Sequence, residues 1–383
     1  MNKKVMALAV AGALAAPAAA LAQVQIGGAI HLQYFNHDSG ATASKKTDVL
    51  TTSEPELYIR GSEKLGGGLE TWFQCTSSFD PLGQGLGSFC GRNSGIGMRG
   101  GFGNIFAGTW DTPHKLVTNM ARGWWGGTNT LQGGSLVLLA QGSDSNVGNA
   151  TGTITFFRRQ RRLVSYHSPN WGGFTLNAAI SSGNEATALA ESSALKPRMY
   201  SVGGQFRTGP FFAGIGYELH DDYNPGPGMP GFGITSAGYT GGSDTSYNLV
   251  AGFTFGGARL SVLYMANEWE MGGAGGTPAG STIETDGFAV YLDWRISGPH
   301  ALKAQYADVS DYKGTNVIAP STGGKVMGVA YAYSFSKRTE GYIAYNQLKN
   351  DRNANYSFGT STVASTSIGA KQQVIGLGLK HSF

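Results

Sequence analysis

The sequence predicts an all-β fold, a sixteen-stranded antiparallel transmembrane β-barrel, and three observations carry that prediction. The last ten residues alternate strictly, with Ile375, Leu377, Leu379, His381 and Phe383 on one face and Gly376, Gly378, Lys380 and Ser382 on the other. Alternation with period two marks a strand with one apolar and one polar face. Beyond residue 22 no apolar run approaches the roughly 18 residues of a membrane helix, so any crossing must be made of strands. Short turns and long polar loops alternate along the chain, giving the barrel one tight end and one elaborate end.

The first 22 residues read as a secretory signal peptide: Lys3 and Lys4, an apolar stretch over 5–14, then Ala20-Leu21-Ala22 as a small-residue cleavage site. The stretch falls short of the roughly 20 residues needed to span a bilayer. The mature chain is expected to be one barrel domain, residues 23–383. Short turns are expected at 66–68, 101–104, 170–173, 209–210, 256–257, 297–300 and 336–338. Between them lie loops at about 36–53, 77–91, 111–157, 183–197, 221–244, 269–284, 311–323 and 349–371, so sixteen strands remain.

One strand fixes which face meets water. Phe288, Val290, Leu292, Trp294 and Ile296 share one side, while Ala289, Tyr291, Asp293 and Arg295 share the other. An aspartate and an arginine in mid-strand, opposite a wholly apolar face, suit a barrel with lipid outside and water inside. The same parity puts Glu56, Tyr58 and Arg60 on the lumen face, with Leu57 and Ile59 outward. Arg99, Arg207, Arg295 and Lys303 join them. An arginine facing lipid near the midplane would cost about 2–4 kcal/mol, which argues against the opposite phase.

Composition agrees and excludes other classes. Sixty glycines, 17 tyrosines and 19 phenylalanines with only 14% charged residues suit small lumen residues and aromatic belts. Without Lys3 and Lys4 the chain holds 26 basic and 24 acidic residues, which gives no bulk-charge case for nucleic acid. Cys75 and Cys90 lie 15 residues apart in an exported chain, where a disulfide is allowed if they flank one hairpin loop; two free thiols are the alternative. Gly95-Ile96-Gly97-Met98-Arg99-Gly100 matches a phosphate-binding pattern, yet it runs through a strand with no helix to follow. No nucleophile elbow or zincin motif occurs, and the seven histidines are scattered, so neither catalytic residues, a metal site nor a cofactor is expected. His220-Asp221-Asp222 reads as a solvated loop cluster.

Several strings resemble the Gram-negative general porins, the trimeric sixteen-stranded type of the Neisseria and Burkholderia lineage. Arg60-Gly61-Ser62-Glu63-Lys64-Leu65-Gly66-Gly67-Gly68-Leu69 resembles that family's R-G-S-E-D-L-G-G-G-L turn. Tyr166-His167-Ser168-Pro169 with Gly173-Phe174 resembles Y-x-S-P-x-F-x-G-F. Phe335-Ser336-Lys337-Arg338-Thr339 resembles L-S-K-R-T, and Gly378-Leu379-Lys380-His381-Ser382-Phe383 resembles the closing G-L-R-H-x-F. The resemblance implies an outer-membrane homotrimer in contact with lipid and lipopolysaccharide, with short periplasmic turns and long extracellular loops. It implies passive diffusion of small hydrophilic solutes, and insertion by the barrel-assembly machinery, which reads the terminal strand ending in Phe383. It also implies a third loop, here 111–157, folded inward against a basic wall.

The match has departures. Pro55-Glu56-Leu57-Tyr58-Ile59 and Ala107-Gly108-Thr109-Trp110 replace segments that usually carry two wall arginines. The third loop is poor in acids, with Asp111 and Asp144, and it carries Lys115, Arg122 and the pair Trp124-Trp125. Those tryptophans either stack on solutes or anchor the loop to the wall, and 136–139 would anchor it too. Arg158-Arg159-Gln160-Arg161-Arg162 is the densest charge cluster. With Val164 and Tyr166 toward lipid, Arg159 and Arg161 fall on the lumen face and would enrich anionic solutes. A solvated loop touching lipopolysaccharide phosphates or a neighbouring subunit is the other reading, and it suits Arg158 and Arg162. A channel specific for one class of small organic anion and a barrel used as an adhesin are the competing functions.

Overall fold

The computed structural model describes residues 24–41, 46–83, 85–126, 131–140, 156–181, 198–221, 243–271, 281–314, 320–358 and 367–383. The expected signal peptide, 1–22, and Asp144 lie outside the described residues. Nineteen strands stand among the described residues: β1 (Gln25–Asp38), β2 (Thr47–Thr52), β3 (Glu56–Gly66), β4 (Leu69–Asp80), β5 (Gly85–Leu86), β6 (Ser94–Gly100), β7 (Gly103–Asp111), β8 (Arg159–His167), β9 (Phe174–Ser181) and β10 (Arg198–Thr208). The series continues with β11 (Phe211–Asp221), β12 (Ser243–Phe255), β13 (Ala258–Met271), β14 (Ser281–Ser297), β15 (His300–Val309), β16 (Lys313–Gly314), β17 (Gly324–Ser334), β18 (Thr339–Asn350) and β19 (Lys371–Ser382).

These make a closed barrel of sixteen antiparallel crossings. β2 and β3 both pair with β1 and form one crossing, interrupted at 53–55 where Pro55 has no N–H to give the ladder. β5 and β16 are two-residue pieces beside the loops. β19 returns to β1 with Ala29 opposite Ser382 and Asp38 opposite Gln373, which closes the sheet on itself. At that seam Gly28 and Phe383 exchange backbone hydrogen bonds of 3.1 and 3.0 Å. No helix among the described residues is long and apolar enough to cross a membrane.

All seven short turns fall where the sequence places them. Gly66, Gly67 and Gly68 have φ of 89°, 60° and 82°, a left-handed run that side chains resist. Several segments read as loops are partly paired, because their hairpins continue further than expected. β2 occupies part of the segment read as loop 36–53, β4 reaches Asp80, and β13 reaches Met271.

Parity along each strand separates the two faces. Ile375, Leu377 and Leu379 are 52%, 57% and 51% exposed on the outside, and Leu260, Val262, Phe288 and Trp294 stand out in the same way. The inner face is less uniform than the sequence suggests. Phe212, Val250, Leu263, Met265 and Ala289 point inward, yet they are buried against Val117, Met120, Trp125, Leu131 and Leu136. Those five belong to the segment after β7, so the buried apolar cluster sits within the barrel. It fills one side of the bore.

Candidate functional site

The segment between β7 and β8 contains α1 (Pro113–Arg122), a 3-10 turn (Gly123–Gly126) and α2 (Ser135–Leu139). Thr112 caps α1 by accepting from the Lys115 N–H at 3.3 Å, with Pro113 at the start where a missing donor costs nothing. Gly123, at φ 54°, ends it.

Helix α1 lies against the inner wall formed by β10, β11, β12 and β13. Glycines make the approach possible: a Cβ on Gly203 would stand 2.8 Å from the Pro113 carbonyl oxygen, and one on Gly214 would stand 2.9 Å from the Met120 sulfur. Polar groups hold the helix in place. Asn248 donates to the His114 carbonyl at 2.8 Å and to Thr118 Oγ1 at 2.7 Å, while Ser201 Oγ accepts from the His114 N–H at 3.0 Å. At the C-terminus Arg259 donates to the carbonyls of Met120 and Ala121, and Ser261 Oγ donates to Ala121 at 2.6 Å. A guanidinium there satisfies orphan carbonyls and complements the helix dipole. Burial holds the His114 imidazole below its ordinary pKa.

Beyond α1 the docking continues. Trp125 is fully buried, and Trp124 meets Tyr342 edge-on at 4.9 Å while donating Nε1 to Glu340 at 2.7 Å. The tryptophan pair therefore anchors the loop. Leu136, Leu138 and Leu139 are buried too, and the Gly133 carbonyl accepts from Gln305 and Asn346 at 2.8 and 2.6 Å. An ionic ladder runs under the junction: Asp293 accepts the Trp124 N–H and pairs with Arg259 at 3.5 Å and Lys303 at 3.4 Å.

The wall that the described residues of this loop do not cover carries a polar recess of about 310 Å³, lined by Glu56, Tyr58, Arg60, Gln74, Thr76, Arg92, Asn93, Asp111 and Arg159. Arg92 pairs with Glu56 at 3.5 Å, and Arg159 with Asp111 at 3.3 Å. Lys115 reaches Asp111 from behind at 3.0 Å. Arg60 lies over the Tyr58 ring at 4.7 Å and donates to Gln25 at 3.0 Å. Three cations, Arg60, Arg92 and Arg159, thus face two carboxylates in the recess, and one of those carboxylates is also paired from behind by the buried Lys115. The guanidiniums stay charged at any relevant pH, and a rim of one sign beside low-dielectric walls enriches counter-ions.

The structure brings together four of the residues expected in the lumen, Glu56, Arg60, Asp111 and Arg159. Arg99 is inward as well but stands apart, bidentate to Glu70 at 2.8 and 3.1 Å near the tight end. Lys303 belongs to the Asp293 ladder, Arg207 lies over Phe212 at 5.4 Å, and Arg295 is exposed on the inward register of β14. Trp110 packs with Phe106 and Trp72 at 5.0 and 5.6 Å. A disulfide joins Cys75 to Cys90.

Other expectations need correction. Lys115 and Arg122 are 3% and 1% exposed rather than on the water path, because α1 turns that side against Phe157 and the wall. Arg161 does not share a regular face with Arg159: a left-handed backbone at Arg162 (φ 53°) and the register shift opposite Gly108 and Trp110 break the alternation there. Arg158, expected outside, is buried in the electrostatic reach of Asp244. His220 is likewise buried, 3.0 Å from Glu218, rather than solvated.

Arg92, Asn93 and Arg259 escaped the sequence reading. Asn93 keeps the inward parity of Gly95, Gly97 and Arg99, a usable signal, but it sits in a glycine-rich loop. Arg259 shares its face with Leu263 and Met265, which made that face look apolar.

The model of one family, described as Gram-negative porin, matches residues 7–353. Outer membrane porin protein 32 of Delftia acidovorans is 25% identical, over 100% of both chains. Among solved structures, the anion-selective porin from Comamonas acidovorans superposes with a TM-score of 0.73 at 20% identity, covering 95% of this chain and 100% of that one. The trimer form of OmpT from Vibrio cholerae gives 0.65 at 13% identity, covering 94% and 99%.

Proposed function

This chain belongs to the Gram-negative porin family, and we propose that its outer-membrane channel, a water-filled route for passive diffusion of small hydrophilic solutes and ions, favours anions. The observation that carries the proposal is the recess, where Arg60, Arg92 and Arg159 outnumber Glu56 and Asp111, the latter also paired by the buried Lys115, beside the part of the bore that the described residues of the loop leave open. Each surplus charge attracts a passing anion by about 1 kcal/mol at 4 Å even in water-like surroundings. The relative from Comamonas that is described as anion-selective fits the same reading. Reversal potential in a potassium chloride gradient, measured on purified protein in planar bilayers, is expected to lie toward the chloride equilibrium potential; a value toward that of potassium rejects the preference.

The same reading includes a homotrimer, with the long loops outside the cell and residues 1–22 removed on export. β6, β7 and β8 are 7, 9 and 9 residues long, whereas β12, β13 and β14 have 13, 14 and 17. Tilted strands of the shorter kind rise only about 18–23 Å, less than the apolar band of about 25 Å. Their outward Ile96, Met98, Ile105 and Val164 are better covered by another copy than by lipid. Cross-linking in mild detergent is expected to trap trimers, and a protein that stays monomeric refutes this. Elsewhere the outer wall meets lipid and lipopolysaccharide, and the Phe383 strand is the segment offered to the barrel-assembly machinery.

A further inference from the structure

The recess depends on a piece of chain that the sheet does not hold. β4 and β6 stay paired only from Glu70 opposite Arg99 up to Gln74 opposite Gly95, and above that point the ladder stops. Arg92 and Asn93 lie just beyond it. What fixes them is a set of separate ties: the Cys75–Cys90 disulfide, Cys90 N–H to Ser77 Oγ at 2.9 Å, Arg92 N–H to the Thr76 carbonyl at 2.9 Å, and Gln74 Nε2 to the Asn93 carbonyl at 2.8 Å.

Asn93 then bonds to both ends of the inward loop. Its Oδ1 accepts from Arg159 Nε at 2.6 Å and from the Asp111 N–H at 3.1 Å, and its Nδ2 donates to Asp111 Oδ2 at 3.0 Å. Asp111 is the last residue before the inward loop, and Arg159 opens the strand after it. One amide side chain therefore ties both ends of that loop to the second one. Arg159 has its Nε committed to Asn93 while Nη2 faces Asp111, which leaves its guanidinium one orientation toward the recess.

We propose that the Cys75–Cys90 disulfide and Asn93 form a clasp that sets the channel's ion selectivity by holding Arg92 and Arg159 at the recess. Both are positioning residues, acting through the arginines rather than on the solute. The proposal rests on the recess being the selective passage, and it requires a difference between clasped and unclasped channels whichever ion is favoured. Without the bond, the 88–93 segment keeps its hydrogen bonds and the Arg92–Glu56 ion pair but no covalent tie, Asn93 withdraws, and Arg159 and Arg92 sample positions away from the path.

The test uses assembled channels in planar bilayers, with reversal potential and single-channel conductance read from the same channels. Asn93→Ala and the pair Cys75→Ser with Cys90→Ser are compared with wild type. Wild-type channels reduced in place by a water-soluble phosphine, with alkylation of both thiols verified, replace the serine variant if it fails to assemble. The anion-to-cation permeability ratio is expected to move toward one by about twofold or more in each case. Combining Asn93→Ala with loss of the disulfide should add little, because both act through one contact. A ratio unchanged in Asn93→Ala, or unchanged in fully reduced channels, overturns the proposal. A purely structural role would lower assembly yield and leave the ratio alone. The wild-type ratio by itself decides the anion preference, so the two readings fail separately.

Discussion

Replacing Arg60, Arg92 and Arg159 together by glutamine is expected to turn the channel from anion-preferring to cation-preferring. With Glu56 and Asp111 retained, the lining of the recess passes from one net positive charge to two net negative charges, one of them still paired by the buried Lys115. Glutamine keeps hydrogen-bonding capacity and much of the length, so the wall is altered in charge more than in shape. At separations near 4 Å each charge contributes on the order of 1 kcal/mol in water-like dielectric, so the permeability ratio should move by about fivefold or more through unity. The shift should shrink in concentrated salt, since the Debye length falls from about 10 Å at 0.1 M to about 3 Å at 1 M. A triple variant that keeps the wild-type reversal potential at low salt would remove the recess from any account of selectivity.

The second large effect concerns the width of the bore. Gly203→Val puts a branched side chain where the Pro113 carbonyl lies 2.8 Å from the Cβ position and a Val117 methyl 3.0 Å away. Overpacking of this kind costs about 1–3 kcal/mol, and the barrel can relieve it by releasing α1 from the wall. Valine suits a strand, so the barrel itself should assemble. Single-channel conductance should rise and its distribution broaden, while anion preference falls as the loop leaves its place beside the recess. Gly204→Val is the control. Its Cβ would point outward and meet Phe174 and Ile215 at 3.5 and 3.6 Å, an ordinary contact, so conductance should stay at the wild-type value. Equal conductance in the two variants would contradict the docking described for α1.

The barrel was legible in the sequence because lipid imposes a strict rule on every second residue. Phe174 and Ile180 stand outward and Asn177 and Ser181 inward, as the alternation requires, and the glycine and proline turns end the strands where they should. The inner face obeys no such rule. Leu263, Met265 and Phe212 are inward yet apolar, because their neighbour is the loop and not water, and a period-two reading cannot distinguish a dry inner face from a lipid-facing one. The same loss of rule explains Lys115 and Arg122, whose placement follows from which side of α1 packs on the wall. For Arg161 and Arg162 the alternation failed outright, since the left-handed residue at 162 and the register shift beside it disturb the ladder locally, while Arg159 before them still faces inward. Arg92 and Asn93 come from a loop whose path is set by a disulfide and side-chain hydrogen bonds, none of which has a period.

Water is expected to follow the wall of β3 to β8, because the described residues of the inward loop pack on the wall from β10 to β18. A membrane-impermeant thiol reagent applied to open channels carrying single cysteines, with the native disulfide intact, distinguishes the two walls. Gln74→Cys, in the recess, should react and cut the current, whereas Val250→Cys, beneath α1, should stay unreacted. Rapid reaction at position 250, or none at position 74, would contradict the account.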